Sequence, residues 1–572
     1  MPETTPRPSG RELDRSMLFA LLACPSPSST PEPQDDSRLV SESEPLESEP
    51  PEADWPEGFQ LWIYLRHNLL VDENLDEALS IVDRAAAAGY TGVVVADFKV
   101  HLLHTGALDE TYDEHLAALL ARIEEHGMVA IPAVLPFGYS EGILRSDANL
   151  AEGQAVVAQP FVVGSAGVLE VDSEVSLPGG DFSSGLAGWT WWDDGVSADD
   201  GAARVEEGSD NARLVQTLDV EPHRQLHVSF RLKTQDFSAD WFNVMLYDTD
   251  AGRSLNSTTW EMSSTQDWTR YDITVNTAEA QTVSLYLGVW GNHSGTAWFD
   301  DVSVTETAPV NLIRRDGAPI DARSDGRELI EGVDLDDLVD TRLRDDGTFD
   351  EWHEPVVITV PEGSSLSVGD RVELDYYAVA PVYGYQVGAC LTEPAVHTWV
   401  ADNLAAVAER FPEAPAVFSM HDEMRHMNTC GACAGTGQSA GELLADHMVS
   451  IQAAVETARP GSRLLVWSDM FDPNHNAHDD YYLVDGDISG SWEGLEQDVL
   501  LVNWLHSPES LAHFDGLGHD QVIAGFYDSG DGAASAASEK EEAAGIELAG
   551  MMYTTWTGDW SQLEAYAEEA LK

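Results

Sequence analysis

The run Phe418-Ser419-Met420-His421-Asp422-Glu423 ends in two adjacent carboxylates. Like charges this close raise the pKa of one, so one acid keeps its proton near neutrality while the other stays an anion. Glycosidic cleavage needs that division: a proton for the leaving oxygen and an anion facing the developing positive charge. Acidic pairs are common in a chain with 101 Asp and Glu. Position carries the weight here, because the pair ends an apolar, strand-like run. Other such runs also end in residues suited to a sugar. Arg66-His67-Asn68 follows 60–65, and Trp467-Ser468-Asp469 ends 464–467. Asn503-Trp504 ends 499–504, Tyr527-Asp528 follows 522–526, and Trp556 follows 550–555. Aromatics around an acidic pair would box one ring and exclude water.

These ends need elements to hold them. Short β-type runs alternate with helical patterns: strands at 60–65, 92–98 and 129–135, and helices at 74–89 and 112–127. The alternation stops for about 250 residues and resumes at Glu393. Helices at 395–411, 441–457, 507–514, 537–544 and 560–571 then alternate with strands at 416–420, 464–467, 499–504, 522–526 and 550–555. Three strands before the break and five after it make eight. Residues 58–136 and 393–572 together come to about the 250 residues typical of a (β/α)8 TIM barrel. A doubly wound open sheet is the rival. Lying after the third strand, the break falls on the barrel's C-terminal face, where active sites sit.

The insert is β-rich. Its middle, 174–307, has strand-length runs at 225–232, 242–247, 268–275, 282–289 and 297–304, which predict a β-sandwich. Its flanks, 137–173 and 308–392, carry further runs such as 355–360 and 371–379 and predict a smaller β-subdomain. Several residues of the middle segment resemble the jelly-roll carbohydrate-binding modules of families 4 and 9: Gly180-Asp181-Phe182, Gly188-Trp189, Leu214-Val215-Gln216, Asp267-Trp268-Thr269 and Phe299-Asp300-Asp301-Val302. The resemblance implies a structural calcium at Asp181 and Asp301, whose carboxylate oxygens suit that ion. It also implies packing roles for Trp189 and Trp268. Trp191, Trp192, Trp241, Trp260 and Trp290 are candidates for sugar contact.

The barrel pattern resembles glycoside hydrolase family 20 and its clan, the β-N-acetylhexosaminidases. That family has an Asp-Glu pair at the end of strand 4, an Arg after strand 1, and a Trp/Tyr cage from later strands. The resemblance implies a retaining, substrate-assisted mechanism in which the substrate's own acetamido oxygen attacks the anomeric carbon. Asp422 would orient the acetamido group and Glu423 would be the general acid/base. Arg66, His421, Asp469, Trp492 and Asp528 join the expected substrate contacts. Trp467, Trp504 and Trp556 would wall the pocket, and Tyr527 would hydrogen-bond the acetamido group. No cofactor is expected for catalysis. The sequence departs from the family at Met420-His421, at the contiguous Tyr527-Asp528 and at Trp556-Thr557-Gly558-Asp559, which leaves the sugar open. Two alternatives stand: a glycosidase with a second carboxylate, Asp469 or Glu493, as nucleophile, and a non-catalytic glycan-binding lipoprotein. A metal hydrolase using the loop Asn474, His475, Asn476, His478, Asp479 and Asp480 ranks below these, because that loop lacks standard ligand spacing.

The formal net charge is −72, from 29 Lys+Arg against 101 Asp+Glu, with only four lysines. That balance repels nucleic acid and anionic membrane surfaces; the expected partner, a glycan, is what the two resemblances imply. Spread along the whole chain, it reads as adaptation to salt, the signature of a halophilic protein. At the N-terminus, Arg7, Arg11 and Arg15 precede an apolar run and Cys24, and residues 1–23 resemble a bacterial lipoprotein signal. Residues 24–57 are Pro/Ser/Glu-rich and read as an extended tether. The expected location is the bacterial cell envelope or surface, with membrane contact only through the lipid anchor. Cys430-Gly431-Ala432-Cys433 fits a tight disulfide, a redox pair or half a metal site. A four-ligand zinc site would need Cys390 and His426 to join. In an exported protein the disulfide is the default.

Overall fold

The computed structural model describes residues 55–56, 58–256, 258, 260–382, 386–528 and 530–572. The expected signal, Cys24 and nearly all of the tether lie outside the described residues. Among the described residues no helix is long and apolar enough to cross a membrane.

Eight parallel strands close a barrel: β1 (Gln60–Leu65), β2 (Gly92–Val95), β3 (Val129–Val134), β4 (Ala416–Ser419), β5 (Arg463–Trp467), β6 (Leu500–Asn503), β7 (Gln521–Ala524) and β8 (Gly550–Tyr553). They pair in chain order, and β8 returns to β1 with Gln60 opposite Gly550. Closure excludes the open sheet. Side chains alternate between two cores, so both faces of each strand are apolar. In β1, Trp62 and Tyr64 point into the barrel with Phe418, Leu465 and Met552. Leu61, Ile63 and Leu65 pack outward beneath the helices.

The longer helices are α1 (Asp72–Ala88), α2 (Glu110–Glu125), α3 (Pro394–Arg410), α4 (Ala440–Ala458), α5 (Pro508–Leu517), α6 (Gly532–Glu542) and α7 (Leu563–Ala570). Their ends carry local signals. Asp109 accepts the first backbone N–H groups of α2. Ser439 and Glu442 form a reciprocal capping box on α4. Among the described residues β5 alone is followed by no α-helix before the next strand; only short 3-10 turns, Asp469–Phe471 and Ser491–Gly494, fill that connection. Its polar sequence offers no amphipathic face to dock.

The insertion leaves the barrel after β3 and returns at α3. It holds a six-stranded antiparallel sheet, with Arg371–Ala378 paired to Gln154–Val163, and an eight-stranded antiparallel system between Trp191 and Glu306. Two expectations change here. Residues 355–360 form no strand; Thr359 makes only an isolated bridge to Val168. The runs at 225–232 and 242–247 belong to one strand, Gln225–Asp248, and those at 282–289 and 297–304 to another, Thr282–Glu306. Polar and glycine residues between the runs looked like turns. They are bulges at Gln235/Ser238 and Ala239/Trp241 that bend the ladder without ending it.

Candidate active site

β4 ends at Ser419, and the chain then turns sharply. His421 and Glu423 take left-handed backbone angles, φ 43° and 46°, on either side of Asp422. Such angles are unfavourable for side chains with a Cβ and persist only where surrounding contacts impose them. One such contact is Gly138, after β3: a Cβ there would stand 1.9 Å from the Asp422 carbonyl oxygen and 2.9 Å from that of Glu423. Only glycine lets the two loops approach this closely.

Glu423 is held by four partners. Tyr139 Oη donates to its Oε2 at 2.6 Å. Arg425 Nη2 lies 2.6 Å from its Oε1. Its backbone N–H donates to Asp469 Oδ2 at 2.9 Å, and its carbonyl accepts from Gln386 Nε2 at 2.7 Å. Arg425 also bonds Gln386, so the end of the insertion braces this loop. The Arg425 side chain is 6% exposed and that of Glu423 40%, so the carboxylate still meets solvent while its anchor does not.

Asp422 and Asp469 are the desolvated acids. Burial first, then the charges of Asp469 and Glu423, push Asp422 up to about 7. Burial pushes Asp469 up to about 7 as well; the Glu423 N–H bond opposes the rise and the Glu423 charge adds to it. Asp422 Oδ1 and Asp469 Oδ1 are buried with no hydrogen-bond partner. Two buried carboxyl oxygens in that state are suited to hold a proton or meet a ligand. Asn476 donates to Asp469 Oδ2 at 3.3 Å, so the polar loop after β5 supports an acid. That loop contributes to none of the metal-sized groups of side chains found among the described residues.

Four aromatic rings stand at the strand ends. Tyr64 packs edge-on against Trp467 at 5.6 Å and Trp556 at 5.7 Å. Trp504 contacts Trp467 at 5.6 Å and Trp556 at 5.8 Å. The Arg66 guanidinium lies 4.5 Å over the Trp556 ring. Asp528 sits below. Burial raises its pKa, but bonds from Thr555, Trp556 and Thr557 outweigh that and hold it low. It fixes the backbone of Trp556 by accepting its N–H at 2.7 Å. Asp528 is therefore a support for the wall.

The structure brings together Arg66, Asp422, Glu423, Trp467, Asp469, Trp504 and Trp556. Three expected contacts face elsewhere. The Tyr527 hydroxyl donates to Glu539 at 2.7 Å and meets Tyr566 at 3.2 Å, in the layer outside the barrel. His421 is fully buried, bonded to Ser419 and to His447 at 3.0 Å, with its ring stacked on Phe137. Trp492 packs edge-on against His513 of α5. Sequence reading gave no role to Tyr64, Tyr139, Gln386 or Arg425. Two of them left a trace: Tyr64 shares its strand face with Trp62, and Arg425 follows the acidic pair by two positions in a chain poor in basic residues.

The sandwich carries a second aromatic group. Trp241 and Trp290 meet at 4.6 Å with their rings tilted by 42°, on paired strands, with Tyr286 6.2 Å from Trp290 and Trp191 6.1 Å from Tyr286. Arg213 lies over both Trp191 and Trp290. Trp191, Trp192 and Trp241 are exposed. Trp260 donates to Asn243 and packs against Phe230, and Trp189 stacks on Phe182 in the core. Trp268 is half-buried beneath Arg231. Asp181 Oδ1 accepts from Ser183, and Asp301 lies 3.4 Å from Arg231 Nη1.

No protein-family model matches the chain, and no curated protein matches it. Among solved structures, one described as "CBM4 structure and function" is 20% identical, covering 23% of this chain and 85% of its own, with a TM-score of 0.18. A family 61 carbohydrate-binding module in complex with β-1,4-galactotriose is 17% identical over 23% of this chain and 97% of its own, with a TM-score of 0.19. A structure of the tandem family 20 catalytic modules of the pneumococcal exo-β-D-N-acetylglucosaminidase StrH is 14% identical over 32% of this chain and half of its own, with a TM-score of 0.21.

Proposed function

We propose that this protein is a glycoside hydrolase acting on glycans that contain N-acetylhexosamine, built as a (β/α)8 TIM barrel with an inserted jelly-roll carbohydrate-binding module. It is exported and lipid-anchored at the cell envelope. The observation that carries the reading is the Asp422-Glu423 pair, fixed beyond the C-terminal end of β4 beside a third acid and four aromatic rings. In this scheme Asp422 accepts the substrate's acetamido N–H and turns the carbonyl oxygen toward the anomeric carbon. Glu423 protonates the leaving oxygen, then takes a proton from the water that opens the cyclic intermediate. The hydroxyl of Tyr64 replaces Tyr527 at the acetamido carbonyl: its acceptor is the weak sulfur of Met420 at 3.2 Å, which a carbonyl outcompetes. Arg66 holds sugar hydroxyls over Trp556. Asp181 and Asp301 hold a structural calcium in the sandwich, tested by a calcium-dependent rise in thermal midpoint that Asp301→Asn abolishes.

The test is release of nitrophenol from aryl β-N-acetylglucosaminide and galactosaminide by the full chain. Turnover lost in Glu423→Gln supports the reading; undiminished activity in that variant sinks the role. A second reading is favoured by one observation: Asp469, bonded to the Glu423 backbone, is buried and raised in pKa. It would then serve as nucleophile in a double displacement without an acetamido group. Equal hydrolysis of 2-hydroxy and 2-acetamido aryl glycosides selects that scheme. Glycan binding with no turnover of either selects a binding protein.

A further inference from the structure

Behind the acidic pair, three sulfurs and a carboxylate converge. Cys390 lies just before α3, Cys430 is the N-cap of the one-turn helix Gly431–Ala434, and Cys433 lies within that helix. Glu152 comes from the other end of the insertion. One ligand atom from each lies within 4.8 Å of the others, and all four residues are buried. Cys390 Sγ is 3.5 Å from Cys430 Sγ and 3.6 Å from Cys433 Sγ, and Cys433 Sγ is 3.5 Å from Glu152 Oε2. A disulfide needs about 2.05 Å, and the three cysteines are free. The expected disulfide is therefore not what the geometry builds. His426 does not join either; its Nε2 faces Thr429 at 2.7 Å.

We propose that Cys390, Cys430, Cys433 and Glu152 form a closed four-ligand zinc site. It fastens both ends of the inserted segment to the loop that carries Asp422 and Glu423. The spacing fits the ion: tetrahedral zinc with bonds of about 2.3 Å to sulfur and 2.0 Å to oxygen sets S···S near about 3.8 Å and S···O near about 3.5 Å. Three thiolates make the site soft, which selects zinc or copper(I) over calcium and magnesium. The surrounding groups orient the ligands as metal sites require. Glu152 Oε1 accepts the backbone N–H groups of Thr429 and Cys430, both at 2.7 Å, leaving Oε2 for the ion. Arg315 donates to Cys430 Sγ at 3.3 Å, and to the carbonyls of Asn149 and Ala151. Its charge offsets part of the excess from four anionic ligands around a divalent ion. With four protein ligands the position for substrate is closed, so the role is structural.

The experiment is elemental analysis of the purified full chain, with thiol titration. One zinc per chain is expected, released in step with mercurial modification of thiols in the unmodified protein. Cys433→Ser and Glu152→Gln should lower metal content to under a tenth and under a half of an equivalent. If these variants fail to fold, the mercurial release decides alone. A metal-free protein with a disulfide among these three cysteines overturns the proposal, and copper in place of zinc overturns the choice of ion. The result is independent of any glycosidase activity.

Discussion

At the barrel mouth, Tyr64, Trp467, Trp504 and Trp556 surround three carboxylates, two of them pushed up to about 7. On the sandwich, Trp191, Tyr286, Trp290 and Trp241 form a group with Arg213 over two of them, and Asp193 is tied to that arginine at 2.8 Å. The aromatic content is alike. What differs is desolvation: Trp467 is 4% exposed and Trp241 40%. Rings packed on each other around buried acids raise the cost of charge and so tune reactivity. Rings that reach water with no buried acid beside them offer stacking area and little else. Under the proposed function, aromatics face sugar in both regions, while the buried carboxylates reserve chemistry for one of them.

The sharpest way to break the contrast is to remove each side in turn. Glu423→Gln should lower kcat on an aryl N-acetylhexosaminide by about 10³-fold with glycan retention unchanged. Trp241→Ala with Trp290→Ala should leave kcat on that small substrate unchanged and weaken polymer binding about tenfold, read by affinity electrophoresis. A drop in aryl-glycoside turnover from the sandwich pair would dissolve the division. Gly138→Ala comes next. Its Cβ would collide with the Asp422 carbonyl, so kcat/KM should fall about 10–100-fold with far-UV circular dichroism retained.

Acidity separates two roles for Asp422: the proposed acceptor of an acetamido N–H, and a proton donor in place of Glu423. If Asp422 must be ionised to hold an acetamido group, kcat/KM rises about tenfold per pH unit up to about 7 and then levels. If Asp422 donates the proton, the rate instead falls above about 7. A pH profile of the unmodified protein, read beside Asp422→Asn, distinguishes them.

The barrel was legible because its strands are apolar runs and all but β5 are followed by a helix, and such signals are local. β1 coincides with its expected span, residues 60–65. The acidic pair was legible for the same reason: it ends one of those runs. Tyr527 shows the limit. Its type and strand end are right, but the direction of its side chain depends on Glu539 and Tyr566 in later helices. Glu152 shows another, since it meets the cysteines across the whole insertion with no spacing to announce it. The bulged strands Gln225–Asp248 and Thr282–Glu306 were divided for a related reason: bulge residues and turn residues have the same composition.

The smallest expected effect concerns stability at the mouth. Folded Asp469 keeps its proton up to about 7, whereas an unfolded Asp releases it near about 4. Between those values the folded state binds more protons, so the protein loses stability as pH rises through the window. Above it, an ionised carboxylate stands buried with one oxygen unpartnered. Asp469→Asn keeps an acceptor for the Glu423 N–H and removes that charge. It should stabilise the protein at pH 8 by on the order of 1–2 kcal/mol and give no gain at pH 4. Thermal midpoints at the two pH values check this. On the sandwich, Trp241→Ala removes no ionisable group, so its small loss should be the same at both. A pH-independent Asp469→Asn would mean that the acid is solvated, and that the barrel mouth resembles the sandwich face more than its geometry indicates.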